Sequence, residues 1–562
     1  MANPIYGAVS FSGTDLAVMQ ALGYQSNTIG TGANFAGTGE NDLFNRGTNG
    51  DISVLQLTAT GTVGTTTVQT GGTLTLAAGV TGARFNGNST SIVTGSGSGL
   101  TVQGVANVIN VGTIATLVDN GNFDQITSLT GANVTITGSN DTLTAGNSNN
   151  VTLNGTGAVV VTGTNSVVAI GGSWTSAYSI GAESTVTVAT AGHNNGITVG
   201  NNGTLIDNGT GNYEAVGTGS SVTINGSWDH LVYVGAGATI IEGGNNNSVA
   251  TGTIATTLTI TGTGDIASVG ANSTVTITGA WDDAFSVGAG STVNELGNNN
   301  HVVVGNSGTV NIGGSGNRAA TGTSSHVTMD GQFNTAYSVG AGSTVIESGN
   351  NNAAAVGNNG TVTINGTGDL VATGVGSSVT LTAAGASNDA YSVGAGSTIY
   401  VDGTHNHVAT GDGSFVAEGG SSNSVTTGTG SVVVISGTSD STSASPGSSV
   451  TDLGSSNTLV AAPFLLLTMP SAVGSVALGT AGQFFGDQIS GFLSGNRIDI
   501  TDLTPNGGGF SMVFSASTVF VGGTLSVSDG SHAVGLTMLG SYSASLFHAA
   551  ADGHGGTLIT YG

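Results

Sequence analysis

Two neighbouring stretches, AFSVGAGSTVNELG (residues 284–297) and HVVVGNSGTVNIGG (residues 301–314), share one design. In each, a valine precedes a glycine (Val287–Gly288, Val304–Gly305), and a second valine stands six positions after the first (Val293, Val310). Apolar residues alternate with Thr, Ser or Asn, which is the period of two of a strand with one buried face. The same glycine recurs as Gly146, Gly163, Gly181, Gly200, Gly217, Gly235, Gly252, Gly270, Gly288, Gly305, Gly322, Gly340, Gly357, Gly374, Gly394, Gly411 and Gly428, at a mean spacing of about 17.6 residues. A segment of that length holds two short strands and a corner. It cannot bury a face alone, so copies must stack on a shared core.

The sequence therefore predicts an all-β fold, a β-solenoid (β-helix) of about 17–18 residues per coil. Extended over residues 51–460, the rhythm makes on the order of 23 coils. A corner repeated on every coil calls for positive φ, and the recurring glycines are expected to supply it. From Pro4 to Pro446 there is no proline, as expected where nearly every backbone N–H enters a neighbour's ladder. Runs such as Asn298–Asn300 and Asn350–Asn352 are expected in corners, as turn residues or as side-chain ladders.

Composition narrows the function. Of 562 residues, 99 are Gly, charged residues are 6%, there is no Cys, and the net charge is −26. The only basic side chains besides His are Arg46, Arg84, Arg318 and Arg497. Nucleic acid and anionic membranes need clustered Lys/Arg, so neither is expected as a partner. Disulfides, thiolate metal sites and a Cys nucleophile are excluded. The longest apolar run, Leu459–Leu467, is interrupted by Pro463 and is far too short for a membrane-spanning helix. The N-terminus has no basic region and no unbroken apolar core, so it does not read as a cleaved signal peptide.

A longer period overlies the coil. Every third coil carries an aromatic residue seven positions before its glycine, at Trp174, Trp228, Trp281 and Phe333, and an acid after it, at Glu242, Glu295, Glu347 and Asp402. The aromatics are expected in the core or at a lateral contact, ahead of glycan stacking.

The ends differ from the body. Residues 1–50 form an N-terminal cap or assembly segment, in which Asp15–Tyr24 suits a short amphipathic helix covering the first coil. From residue 461 the composition shifts, with half of the 16 Phe falling after it, and residues 461–562 are expected to be a separate β-rich domain. The phrases around Asp499, Asp529–Gly530 and Asp552-Gly553-His554-Gly555-Gly556-Thr557 resemble the C-terminal modules of bacterial type I-secreted surface proteins. That resemblance implies an uncleaved C-terminal export signal and an extracellular or cell-surface location.

The resemblance also raises calcium, because type I-secreted proteins of the repeats-in-toxin family bind it through GGxGxDxUx nonapeptides. GTGENDLFN (residues 37–45) keeps the Gly, the Asp and the apolar residue, Asp51 follows Asp42 by nine, and SNDTLTAGN with SNNVTLNGT forms another pair. Most coils have Asn, Ser or Thr where the carboxylate would be, so few sites are expected. The candidates are Asp42, Asp51, Asp141, Asp265 and Asp369, set against solvated corner acids.

Catalysis is not expected. Lyases on β-helices need Lys/Arg, yet Arg318 stands alone in the regular coils, and Asp282 and Asp283, adjacent in an extended chain, point to opposite sides and suit a solvated turn. Facing carboxylates for glycoside hydrolysis are not evident, and His405 with His407 is the only close His pair. These features predict a structural extracellular protein that assembles with itself into filaments, biofilm matrix or a surface layer. The alternative is an adhesin or glycan-binding surface protein whose partner is a cell-surface or matrix polysaccharide.

Overall fold

The computed structural model describes residues 73–562, apart from residues 77, 80, 253, 254, 471, 472 and 507; before residue 73 it describes only the backbone of the strands Asn3–Ile5, Val9–Phe11, Gly30–Thr31, Asp42–Arg46 and Ile52–Gln56. The expected helix at residues 15–24, Asp51 and the Asp42 side chain lie outside the described residues. Two units are distinguished: Met1–Val275 with Asp282–Ala284, and Thr276–Trp281 with Phe285–Gly562.

Both units are built from one coil, repeated about 24 times in all. A first strand leads through a tight turn to a second strand, and a corner returns the chain to the next first strand. In unit 1, Tyr213–Val216 and Ser221–Ile224 are followed by His230–Val234 and Thr239–Glu242. First strands pair in parallel only with first strands (Tyr213 opposite His230), and second strands only with second strands (Ser221 opposite Thr239). Each coil thus adds one rung to each of two parallel sheets. In unit 2 the stack Thr309–Ile312, His326–Met329, Thr344–Glu347 repeats the arrangement in unbroken register.

The alternation dictates the core. In Ser221–Ile224, Val222 and Ile224 are buried, while Ser221 and Thr223 face outward. Four inward positions per coil, filled mainly by Val, Ile, Leu and Ala with occasional Thr, Asp and Glu, make a narrow interior that β-branched side chains suit. The fold is all-β: the 3₁₀ turn Ala544–Leu546 is the only helical element among the described residues, and no helix is long and apolar enough to cross a membrane.

The recurring glycines act differently from expectation. Their φ is not positive; the left-handed residue comes two positions later, as at Glu183 (φ 60°), Asn202 (φ 53°), Ser324 (φ 56°) and Asn359 (φ 56°). Glycine is needed instead for close approach between coils: a Cβ on Gly181 would collide with the backbone of Gly163 and Thr164, and one on Gly340 with the backbone of Gly322 and Thr323.

Every third coil also carries an extra residue in its first strand. Ser176–Ile180 and His230–Val234 in unit 1, and Thr335–Val339 and Asp389–Val393 in unit 2, have five residues and shift register against four-residue neighbours. These are β-bulges.

Near the C-terminus of unit 2 the parallel stacking runs past residue 460, with Leu466 opposite Gln488 and Val476 opposite Arg497. The final strands then close both edges of the last coil. Ala533–Leu539 pairs with Gln488–Ser490, and Thr557–Tyr561 lies antiparallel to Arg497–Ile500. Outside them, Ser511–Ala516 and Gly522–Ser528 continue as an antiparallel meander. Phe492, Phe514, Tyr542, Phe547 and Tyr561 pack against one another beneath this cap.

Candidate functional site

The residue just before each first strand points into the coil, and down the stack these residues form a ladder. In unit 1 the backbone N–H of Asn195 donates to Asn212 Oδ1 (2.9 Å), that of Asn212 to Asp229 Oδ1 (2.7 Å), that of Asp229 to Asn247 Oδ1 (2.8 Å), and that of Asn247 to Asp265 Oδ1 (2.8 Å). Unit 2 repeats it: Asn317 N–H to Asn334, Asn334 to Asn352, Asn352 to Asp369, each at 2.8–2.9 Å. The oxygen common to Asn and Asp therefore has one job on each of these coils, satisfying a buried N–H of the preceding one, while Ala158 and Thr175 interrupt the series in unit 1. Opposite, Ser plays the same part: Ser325 N–H donates to Ser343 Oγ and Ser377 N–H to Ser397 Oγ.

Asn and Asp differ at their second atom. Asn247 Nδ2 donates to the carbonyl of Gly226 (3.1 Å) and Asn334 Nδ2 to that of Gly314 (2.9 Å). Asp places an oxygen in the same position: a Cβ on Gly244 would sit 2.7 Å from Asn247 Nδ2, and one on Gly262 would sit 2.5 Å from Asp265 Oδ2. That oxygen meets carbonyls where a donor is required. Among the described residues no donor reaches Oδ2 of Asp124, Asp141, Asp229, Asp265, Asp369 or Asp440.

A second inward column ends the second strands. It carries Asp119, Asp207 and Glu242 in unit 1, and Glu295, Glu347, Glu418 and Asp452 in unit 2, all at most 1% exposed. The two columns meet in unit 1, joined in one place by Glu214 from within the first strand Tyr213–Val216. Asp119, Asp124 and Asp141 bring one carboxylate oxygen each within 4.8 Å of one another, and so do Asp207, Glu214 and Asp229; these are the only such groups among the described residues.

Burial raises the pKa of these acids, because the charged form loses its water. Asp119 is pushed up to about 8, first by burial and then by the charge of Asp124; Asp141 rises to about 6 and Asp229 to about 7. Glu242 reaches about 9 and Glu418 about 8, both chiefly by burial. Glu214, Glu295 and Glu347 lie well above the usual range for the same reason.

Asp141, Asp265 and Asp369, expected as calcium ligands or solvated corner acids, are 0–1% exposed, which overturns the solvated alternative. The structure joins Asp141 to Asp119 and Asp124, and places Asp265 beside Glu242; Asp369 belongs to unit 2, so the expected candidates do not form one site. Asp282 is buried as well and is not part of a solvated turn. Glu242, Glu295 and Glu347 face inward, whereas Asp402 falls one residue after the inward position and is exposed. Sequence reasoning missed Asp119, Asp124, Asp207, Glu214 and Asp229. For Asp124 and Asp229 the signal was the interchange of Asn with Asp at one register position; Asp119 and Asp207 end second strands and Glu214 lies within a first strand, so that interchange did not mark them.

The spaced aromatics are on the surface. Trp174, Trp228, Trp281 and Phe333 are 66, 63, 69 and 62% exposed, so placement in the core is overturned. Each occupies the left-handed corner position (φ 60, 63, 64 and 57°) immediately before the ladder residue, from which its side chain leaves the coil. Phe123 (φ 57°) extends the series in unit 1. In the same coils exposed Tyr233 and Tyr337 lie in the bulged strands, Tyr337 under Arg318 (5.3 Å to the ring centroid) and within 2.9 Å of His301. His405 and His407 are both exposed and join no cluster of three ligating side chains.

In the cap, the acids of the resemblance shape turns. Asp529 Oδ1 accepts the N–H groups of Ser531 (2.8 Å) and His532 (2.7 Å), and Asp552 Oδ1 those of His554 (2.6 Å) and Gly556 (2.9 Å), bonds that hold both carboxyls below their usual pKa.

No protein-family model matches the sequence, and no curated protein matches it. Among solved structures, two mutants of the tailspike protein of E. coli bacteriophage HK620, each in complex with a pentasaccharide, align over 87% of this chain and 84% of theirs, at 10% and 13% identity and a TM-score of 0.11. No functional conclusion is drawn from a likeness of that size.

Proposed function

We propose that the chain is a structural, non-enzymatic β-solenoid of the bacterial cell exterior that adheres to neutral polysaccharide through its row of corner aromatics. The observation that carries this is the pairing of strain with exposure. Elsewhere the same row holds Asn, Gly or Ser, with Ala106 and His405 as the other members, so a bulky aromatic is the exception in this left-handed corner. A Trp there costs on the order of 1–3 kcal/mol and leaves its ring in water. Each ring is mostly exposed at that cost, which favours a gain from a partner outside the fold. Within unit 1, Phe123, Trp174 and Trp228 recur every third coil, roughly 14 Å apart at the spacing of stacked strands. Flat apolar faces among Asn, Thr and Ser amides and hydroxyls suit sugar rings, and a chain of net charge −26 disfavours anionic partners.

The test is affinity electrophoresis of the full chain through gels containing neutral or acidic polysaccharides. Retardation by a neutral polymer, lost in a Trp174→Asn/Trp228→Asn double variant that keeps its circular dichroism, supports the reading. Retention unchanged by the double substitution overturns it.

Assembly into filaments, biofilm matrix or a surface layer is the second reading. It draws on Ser511–Ala516, which pairs with Gly522–Ser528 and, among the described residues, with no strand on its other side. Open edges template further strands. Electron microscopy that shows monodisperse particles at every concentration would exclude it. Export by a type I system rests on the resemblance of residues 461–562; normal secretion of a chain lacking residues 500–562 would refute that part.

A further inference from the structure

We propose that the two groups of three carboxylates inside unit 1, Asp119–Asp124–Asp141 and Asp207–Glu214–Asp229, are interior sites for a hard divalent cation of the calcium class. In the first group each acid spends one oxygen on a backbone N–H and leaves the other over. Asp119 Oδ1 accepts from Gly121 (3.0 Å), Asp124 Oδ1 from Asn107 (2.5 Å) and Asp141 Oδ1 from Asp124 (2.8 Å), while no N–H reaches the three Oδ2 atoms, and without a cation Asp119 and Asp124 have only a shared proton between them. The carbonyl oxygens of Gly104 and Gly121 border the same space, since a Cβ on Gly121 would strike Gly104 O and Asp124 Oδ2, and one on Gly138 would strike Gly121 O and Asp141 Oδ2.

In the second group Asp207 is held by Gly209 N–H (2.7 Å) and Asn212 Nδ2 (2.9 Å), and Asp229 by Asn212 N–H (2.7 Å). Glu214, 0% exposed, is aimed at this pair; no N–H reaches either of its oxygens, and without a cation its one partner is the Asp207 carboxylate, through a proton of its own. A buried polar group without a partner is the exception that requires an explanation, and here three acids converge in each place.

The chemistry selects the ion. All the available ligands are oxygens, which suits calcium or magnesium over softer metals. Magnesium keeps several waters and strict octahedral geometry, whereas calcium accepts six to eight oxygens in irregular arrangements. These acids are 0–1% exposed, so an ion among them would be held by protein oxygens away from bulk water. Among the described residues of unit 1 no arginine serves as an internal counter-ion: Arg84, the one arginine there, is exposed. A bound cation would tie together coils 17 residues apart in sequence, as Asp124 and Asp141 are.

The test uses the full chain stripped with EDTA, with unfolding and equilibrium dialysis followed at pH 7.5 against CaCl₂ and MgCl₂. Asp124→Asn with Asp141→Asn, and separately Glu214→Gln, keep shape and hydrogen-bonding oxygens, so these variants are expected to fold. The expected result is an upward shift of the wild-type midpoint with calcium, smaller with magnesium, and the loss of one tightly bound calcium in each variant. Overturning results are a midpoint indifferent to calcium, or calcium binding whose stoichiometry survives both sets of substitutions. Stabilisation by acid alone, with no calcium response at any pH, would assign the groups to shared protons instead.

Discussion

Asn317 donates from Nδ2 to the carbonyl oxygen of Gly297 across 2.9 Å while its Oδ1 takes the N–H of Asn300. Every polar atom of this 0%-exposed side chain is thus in use. Asn317→Asp would keep the accepted bond and turn the donated one into an oxygen facing an oxygen. The expected cost at neutral pH is about 3 kcal/mol, combining a lost bond with an uncompensated buried acid. Asp440 is the converse, since its Oδ1 accepts from Asn423 (2.8 Å) and its Oδ2 has no donor. Asp440→Asn should stabilise. Urea unfolding of both variants in EDTA at pH 7.5 checks the opposite signs.

The buried glutamates of unit 2 make stability fall as pH rises. Burial raises Glu418 to about 8 and Glu295 well above its ordinary value. A carboxyl whose folded-state pKa is raised contributes stability that is fully present below its unfolded pKa, roughly 4.3, and is lost as pH climbs through the folded value. For Glu418 the window runs from the mid-fours to about 8. In EDTA the chain should therefore have a higher unfolding midpoint at pH 5 than at pH 8. Glu295→Gln and Glu418→Gln should each flatten that slope and add on the order of 2 kcal/mol at pH 8. A midpoint that rises from pH 5 to pH 8 contradicts this account.

The coil was legible because its cause is local and periodic. The alternation around Val287 and Val304 specifies strands, and the repeat of Gly288 and Gly305 specifies stacking. The direction in which Trp281 points was not legible, since one residue of offset at a corner separates inside from outside: Trp281 is exposed and Asp282, next to it, is buried. The sequence sets calcium ligation of Asp141, Asp265 and Asp369 against solvated corner acids, and burial without a partner is not among its readings because a lone carboxylate seldom enters a core. What admits Asp229 and Asp265 is a ladder whose N–H groups ask for an oxygen and accept it from either Asn or Asp. The reason for the recurring glycine was likewise tertiary, lying in the backbone of the neighbouring coil.

That tertiary reason separates glycines that look alike in sequence. Gly181 and Gly252 hold the same place in the repeat, and neither has positive φ. A Cβ on Gly181 would collide with the backbone of Gly163 and Thr164, but one on Gly252 would meet nothing within 4 Å. Gly181→Ala should cost about 3 kcal/mol, at the upper end of overpacking penalties, because only backbone can yield. Gly252→Ala should be neutral or stabilise by about 0.5 kcal/mol through the unfolded chain. Thermal melts of the pair check the contrast, and equal effects would restore a purely conformational role for the series.

The corner row of unit 2 begins Trp281, Asn299, Gly316, Phe333, Asn351, Gly368 and continues with Ser387, His405, Ser422, Ser439 and Ser456, all in left-handed backbone. Asn and Gly are coupled within it: a Cβ on Gly316 would lie 2.6 Å from Asn299 Oδ1, and one on Gly368 would lie 2.8 Å from Asn351 Oδ1. The aromatic member is under no such constraint. Trp281→Asn and Phe333→Asn should therefore raise stability by about 1 kcal/mol each, through relief of left-handed strain and removal of exposed apolar surface. Asn299→Trp should do the reverse, since it adds strain and displaces the side chain that lies over Gly316. If Trp281→Asn instead lowers the unfolding midpoint, the ring stabilises the fold, and the row is a structural feature of the corner rather than a surface kept for a partner.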